Sequence, residues 1–217
     1  MSCLPAVFST EVTGLPAAKD LVVLVPDSDM ESTVRGLLSR AAALGIRLVE
    51  PKIYVDRVGK DPGCLLHAHD FLRSFSKLYA HALVMFDRHG CGREDATREQ
   101  LEREVEARLA QSGWRDRAAA VVLDPELEIW IWSDLPHVSS TLGWSKGRAD
   151  LNKWLQQRGF LPTPGVKPSR PKLAWRAALR VTGRSPSPSL FLDLARRWFC
   201  SPKLAHFAHV DWATSLI

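Results

Sequence analysis

Three apolar runs in this chain end in a carboxylate. LVVLVPD closes on Asp27, with Asp29 and Glu31 just beyond it. ALVMFD closes on Asp87, and AAAVVLD closes on Asp124, with Glu126 and Glu128 following. Carboxylates that converge repel one another unless a cation neutralises them. An oxygen-only cluster of this kind suits Mg2+ or Mn2+ rather than zinc. Such ions activate water and stabilise the charge that develops in phosphoryl transfer. A plainer role competes at two of these positions, because an Asp at the end of a strand also N-caps the helix that follows. That reading applies to Asp27 and Asp124. It applies less to Asp87, which no helix follows directly, and Glu128 sits between Leu127 and Ile129 in a segment of large apolar residues.

Other groupings carry less. His67 and His69 lie in a helical stretch, where two positions of separation turn side chains about 200° apart, so they do not share a ligand. Cys3, Cys64, Cys91 and Cys200 form no CxxC pair, which argues against a zinc knuckle or a disulfide framework. Gly90 and Gly92 flank Cys91 in a flexible HGCG turn beside Asp87, but the spacing is not that of a P-loop. Lys172, Arg176 and Arg180 recur every fourth residue and form one basic stripe, to which Arg196 and Arg197 add. A stripe of this kind contacts phosphates or an acidic protein partner.

These residues need elements to position them. Residues 20–27 read as a buried strand. Ser28 or Asp29 can cap a helix in which Met30, Val34, Leu37, Leu38, Ala41 and Leu44 recur at helical spacing, and Gly45 is its stop. A second strand spans 46–55 and is interrupted by Pro51. A loop follows, then a helix over 64–80 with Leu65, Phe71, Leu72, Phe75 and Leu78 on its apolar side. A third strand covers 81–90. Thr97 and Gln100 form a capping box for a helix over 97–113, which Gly113 ends. A fourth strand covers 118–124, and Asp124-Pro125 reads as the cap and first residue of another helix. Residues 135–144 read as a loop. Helices follow over 149–159, 171–183 and 187–201, with a Pro-rich connector before the second. Strand-helix alternation implies a mostly parallel sheet with helices on both faces. In such sheets ligands bind beyond the carboxyl ends of the strands, where the three acidic runs end.

The pattern resembles the Toprim-like proteins of bacterial anti-phage defence, in particular the RloB-type group and the small components of methylation-associated defence systems. The residues that carry it are the strand ending in Asp87, the Glu128-Ile129-Trp130 segment with Ser133-Asp134 behind it, and the basic tail from Lys167 to Phe207. The resemblance implies a Toprim-like, mostly parallel four-stranded sheet over 1–134 and a basic helical C-terminal appendage over 135–217. It implies metal-dependent phosphodiester chemistry, with an acidic residue after the first strand and a D-x-D pair holding Mg2+. Two positions depart from that pattern. The D-x-D position reads Asp87-Arg88-His89, and Pro26-Asp27 stands where a Glu is expected. The implied site is therefore Asp87 and Glu128 holding Mg2+ or Mn2+, Asp27 or Glu31 completing it, and His89 as an atypical ligand. Nucleic acid would lie along Lys172, Arg176, Arg180, Arg196 and Arg197. The alternative is a catalytically degenerate subunit that serves as scaffold or sensor in a larger defence complex. A third expectation is a protein that senses or modifies nucleotides.

The composition bounds these readings. Of 217 residues, 46% are apolar and 24% charged, as in a folded globular protein. No apolar run approaches the roughly 20 residues that span a bilayer, and the first residues lack the basic and apolar regions of a secretory leader. Together with the cysteine pattern, this points to a cytoplasmic protein that does not contact membrane. Residues 135–217 hold 13 Lys and Arg against 3 Asp and Glu, whereas residues 1–134 hold 16 against 21. A basic C-terminal third suits nucleic acid or another protein of the same system.

Overall fold

The computed structural model describes residues 19–132, 137–163 and 167–197. Ser133, Asp134, the boundary expected at 134/135, and the segment 198–217 lie outside them. Four strands, β1 (Lys19–Val25), β2 (Pro51–Val55), β3 (Tyr79–Asp87) and β4 (Ala118–Leu123), form one sheet in the order β2-β1-β3-β4. Every pairing is parallel. β1 and β3 are central, and both are near-continuous apolar runs because side chains on both faces are buried.

Alternation along the strands divides the core in two. Leu21, Val23, Val25, Leu83, Met85, Ala119, Val121 and Leu123 face one apolar cluster. Val22, Leu24, Ala82, Val84, Phe86, Ala120 and Val122 face the other. The second cluster is completed by α3 (Lys60–Arg73) and α4 (Arg98–Leu109). The first is completed by α1 (Ser28–Leu38), a four-residue helix α5 (Glu128–Ile131), α6 (His137–Thr141), α7 (Gly147–Gln157), α8 (Pro171–Val181) and α9 (Pro188–Arg197). The chain is thus an α/β protein with a four-stranded parallel sheet and helices on both faces. Trp175 of α8 and Phe191 and Leu194 of α9 are buried in the same cluster as β1, so the basic C-terminal helices are packed into the core of the sheet.

Several elements differ from the sequence reading, for local reasons. The first helix is capped by Asp27, whose Oδ1 accepts from the Met30 N–H at 2.9 Å. It stops at Leu38, and a short α2 (Ala41–Leu44) carries the pattern on to Gly45, which adopts φ 68°. β2 starts at Pro51 instead of being interrupted there; a proline fits the first residue of an edge strand. α3 opens four residues earlier than expected and ends at Arg73, so Leu78 falls beyond it and is exposed, and Phe71, within the helix, is exposed as well. The Thr97–Gln100 capping box is present. Residues 137–141, expected in a loop, are the helix α6.

The two edges of the sheet are finished differently. β4 is an edge strand, and its outward N–H groups at Ala120 and Val122 donate to the carboxylates of Glu106 and Glu102 on α4, each at 3.0 Å. One turn of α4 separates the two acids, so the helix runs along the strand and closes off its exposed donors.

Candidate functional site

Among the acids at the carboxyl end of the sheet, six bear on the site. Asp27 and Asp29 follow β1, Asp61 lies in the first turn of α3 after β2, Asp87 ends β3, and Glu126 and Glu128 follow β4. Three of these, Asp87, Glu126 and Glu128, are buried, with 7%, 7% and 3% of their surface exposed.

Hydrogen bonds tie the strand ends together. Asp61 Oδ1 accepts from the Asp87 N–H at 2.8 Å, so α3 is fastened to the end of β3. Asp87 Oδ1 in turn accepts from the Leu127 N–H at 2.8 Å, fastening the β4–α5 turn to the same point. No helix opens at Pro125, because its carbonyl is diverted from the Ile129 N–H to His89. The Leu127 N–H is spent on Asp87 and the Pro125 carbonyl accepts from His89 N–H at 2.8 Å, and α5 begins only at Glu128. Asp124, expected as a cap, pairs with Arg88 at 2.9 Å. Arg88 also donates to the Glu94 and Ala96 carbonyls, which folds the HGCG turn back on itself.

A lysine from the far end of the chain enters this acidic group. The Lys172 backbone N–H, in the first turn of α8, donates to Glu126 Oε1 at 2.8 Å. Its Nζ lies 3.6 Å from Glu128 Oε1. The other Glu128 oxygen, Oε2, is buried and has no hydrogen-bond partner among the described residues.

The electrostatics follow from burial and crowding. Burial, then the charges of Asp61 and Glu128, push the Asp87 carboxyl well above the ordinary range. Burial raises Glu128 to about 6, against the opposing pull of Lys172. Asp29 is also raised to about 6, by burial and by Asp27, with Lys172 and Arg176 opposing. Asp61 is raised by burial, and Asp27 adds to the rise. Burial works against the charge on Lys172, but Glu128, Asp87, Glu126 and Asp27 outweigh it and lift its pKa.

The residues expected at the site are distributed as follows. Asp27, Asp87 and Glu128 are brought to the same end of the sheet, Asp27 exposed and the other two buried, with Asp27 and Glu128 both acting on the Asp87 charge. Glu31 is not: it pairs with Arg35 at 2.8 Å one turn along α1. His89 is mostly exposed and its Nδ1 lies 3.8 Å from Glu126 Oε2. Of the basic stripe, Lys172 is in the crevice, whereas Arg176, Arg180, Arg196 and Arg197 are exposed, Arg197 pairing with Asp193 at 3.0 Å. Asp61 was not singled out from the sequence. Its signal was the Lys-Asp-Pro-Gly run after the second strand, which marks one more strand-to-helix junction at the same sheet edge.

Compared with protein-family models, curated proteins and solved structures, the chain matches none. No helix among the described residues is long and apolar enough to cross a membrane. Nor, among those residues, is any group of three or more His, Cys, Asp and Glu arranged to hold a metal ion. The donor set is carboxylate-rich, as Mg2+ or Mn2+ requires, but His89 is turned to Glu126 and an ammonium stands beside Glu128. As arranged, the crevice does not fit a divalent ion.

Proposed function

We propose that this chain is a Toprim-like cytoplasmic component of a bacterial anti-phage defence system that binds or acts on nucleic acid, together with other proteins of that system. One observation carries the reading. Asp87, the last residue of β3, and Glu128, the first residue of α5 beyond the neighbouring β4, lie 41 residues apart in sequence and are both buried at the carboxyl edge of a parallel sheet. They are close enough for the Glu128 charge to raise the Asp87 pKa. Ligands of parallel sheets bind at this edge, and buried carboxyls with raised pKa values concentrate at functional sites. The exposed Arg176, Arg180, Arg196 and Arg197 supply positive charge for phosphates.

Fluorescence anisotropy with single- and double-stranded DNA and RNA over a salt series tests the binding. Reversing Arg176 and Arg180 together to Glu should weaken it and flatten the salt dependence, by about 0.7–0.9 in logarithmic slope for each lost phosphate contact. Absence of binding at low salt, or unchanged binding in the variant, refutes it.

Within this reading the degenerate, non-cleaving subunit is favoured over a Mg2+- or Mn2+-dependent nuclease by the position of His89 beside Glu126 and of Lys172 beside Glu128. Cleavage assays with Mg2+ and Mn2+, wild type against Asp87→Ala, separate the two. Metal-dependent cleavage that Asp87→Ala abolishes would establish the nuclease.

A further inference from the structure

The β2 edge of the sheet is left open. In a parallel ladder each residue turns both of its backbone groups to one side, and successive residues alternate. The Asp56 N–H donates to the Val25 carbonyl at 2.8 Å, so Tyr54 and Lys52 also turn toward β1, whereas Pro51, Ile53 and Val55 turn away from it. Among the described residues nothing bonds the N–H groups of Ile53 and Val55 or the carbonyls of Pro51 and Ile53. The Val55 carbonyl is taken by the Arg57 N–H at 3.1 Å, and Pro51 has no N–H to offer. At the opposite edge, the outward donors of β4 are taken by Glu102 and Glu106. An edge with free donors and acceptors is a template for another strand.

The free groups of β2 are complementary to themselves. When a second β2 lies antiparallel to the first, with Ile53 opposite Ile53, the two Ile53 residues exchange both of their bonds. Each Val55 N–H then meets the Pro51 carbonyl of the other strand. The return bond would need an N–H on Pro51 and a free carbonyl on Val55. The strand lacks both, so the match leaves neither orphaned. Side chains agree with the same register. Leu48 and Val58, at 77% and 96%, are the most exposed large apolar side chains among the described residues, and they stand five residues before and five after Ile53. Each Leu48 therefore comes opposite a Val58. Lys52, whose Nζ lies 5.4 Å from the centre of the Tyr54 ring in its own strand, comes opposite the second Tyr54 and diagonal to the second Asp56. The like charges that the register sets opposite each other, Glu50 and Asp56, both have Lys52 beside them, and Asp56 already accepts from the Val58 and Gly59 N–H groups.

We propose that the free edge of β2 is a dimer interface: two copies of this chain pair β2 with β2 about a two-fold axis at Ile53 and join their four-stranded sheets into one of eight strands. Such an interface uses the same patch on both copies and closes on itself. Opposed residues of an antiparallel pair project from the same face, so the axis is perpendicular to the sheet. The helices packed on the first apolar cluster, α8 and α9 among them, then lie on one side of the joined sheet in both copies. The interface depends on the β2 edge alone and not on nucleic-acid binding.

Sedimentation equilibrium of the full chain over a concentration series, without nucleic acid, tests it. Wild type should reach twice the chain mass. Leu48→Lys with Val58→Lys sets like charges opposite each other at both ends of the paired strands and should raise the dimer dissociation constant at least about tenfold. Leu48→Lys with Val58→Glu sets opposite charges there and should recover most of that loss at low salt and less at high salt. Both positions are exposed, so the core is untouched, and circular dichroism checks that each variant is folded. A wild type that stays monomeric, whether the edge is left to another segment of this chain or to another protein, overturns the proposal. So does a dimer that the two lysines do not weaken, or whose weakening the opposite-charge variant does not relieve.

Discussion

Replacing Glu128 with Gln should make the protein more stable at pH 8 and leave it almost unchanged at pH 4.5. The carboxyl is 3% exposed, and burial raises it from its ordinary 4.5 to about 6 in the folded protein. A raised acid binds its proton more tightly in the folded state than in the unfolded one. Its contribution is therefore complete below pH 4.5 and is lost as pH rises through 6. At about 1.4 kcal/mol per pH unit, the loss is about 2 kcal/mol by pH 8. Gln reproduces the shape and neutrality of the protonated acid, so the variant avoids this loss. Urea unfolding at the two pH values measures the difference, which should appear at pH 8 as a gain of about 2 kcal/mol. For a chain of this size that is about 4–8 °C in Tm. A Gln variant less stable than wild type at pH 8, and more so than at pH 4.5, would refute the reasoning. It would mean that the Lys172 pairing at 3.6 Å outweighs the cost of burying the charge.

Three further outcomes follow from single contacts. Asp87→Ala removes the acceptor for the buried Leu127 N–H and should cost about 1–3 kcal/mol in urea unfolding, whereas Asp87→Asn keeps that acceptor and should cost less. Gly36→Ala would place a Cβ 2.6 Å from Ala195 Cβ and 2.9 Å from the Leu192 carbonyl, where α1 crosses α9. Alanine favours a helix over glycine by about 1 kcal/mol, yet overpacking should reverse the sign and destabilise by about 1–3 kcal/mol, with faster tryptic cleavage at Arg196 and Arg197. Glu102→Ala with Glu106→Ala uncovers the outer donors of β4, and amide hydrogen exchange at Ala120 and Val122 should accelerate while that of Val84 in β3 changes little.

The sheet was legible because its strands are buried on both faces. Runs such as LVVLV and ALVMF leave no helical face, and Gly, Pro and capping residues bracket them. Helix ends were less so, since they depend on which group claims a backbone N–H. Asp27, Ser28 and Asp29 are all competent caps, and Asp27 is the one that accepts the Met30 N–H. The start of α5 was illegible for a tertiary reason: the Pro125 carbonyl, which a helix opening there would offer to the Ile129 N–H, accepts from His89 instead, and the Ile129 N–H turns to Glu126. Within the site, Asp87 and Glu128 stood out as acids embedded in apolar sequence. Lys172 read as the first member of a basic stripe, because i, i+4 spacing gives the face of a helix but not what that face meets.

The crevice is costly to keep. Asp29, Asp61, Asp87 and Glu128 all bind protons more tightly than free carboxyls, so their ionised forms each lower stability at neutral pH. Glu102 and Glu106, half-buried and likewise raised by burial, each accept from an edge-strand N–H. Asp61 and Asp87 accept one N–H each, from Asp87 at the end of β3 and from Leu127 after β4. Glu128 has no such donor at Oε2, and its cation is a lysine held against the dipole of its own helix. A glutamine at position 128 would remove the repulsion with little change of shape. Position 128 nonetheless holds an acid, set opposite a lysine whose backbone N–H is held by Glu126.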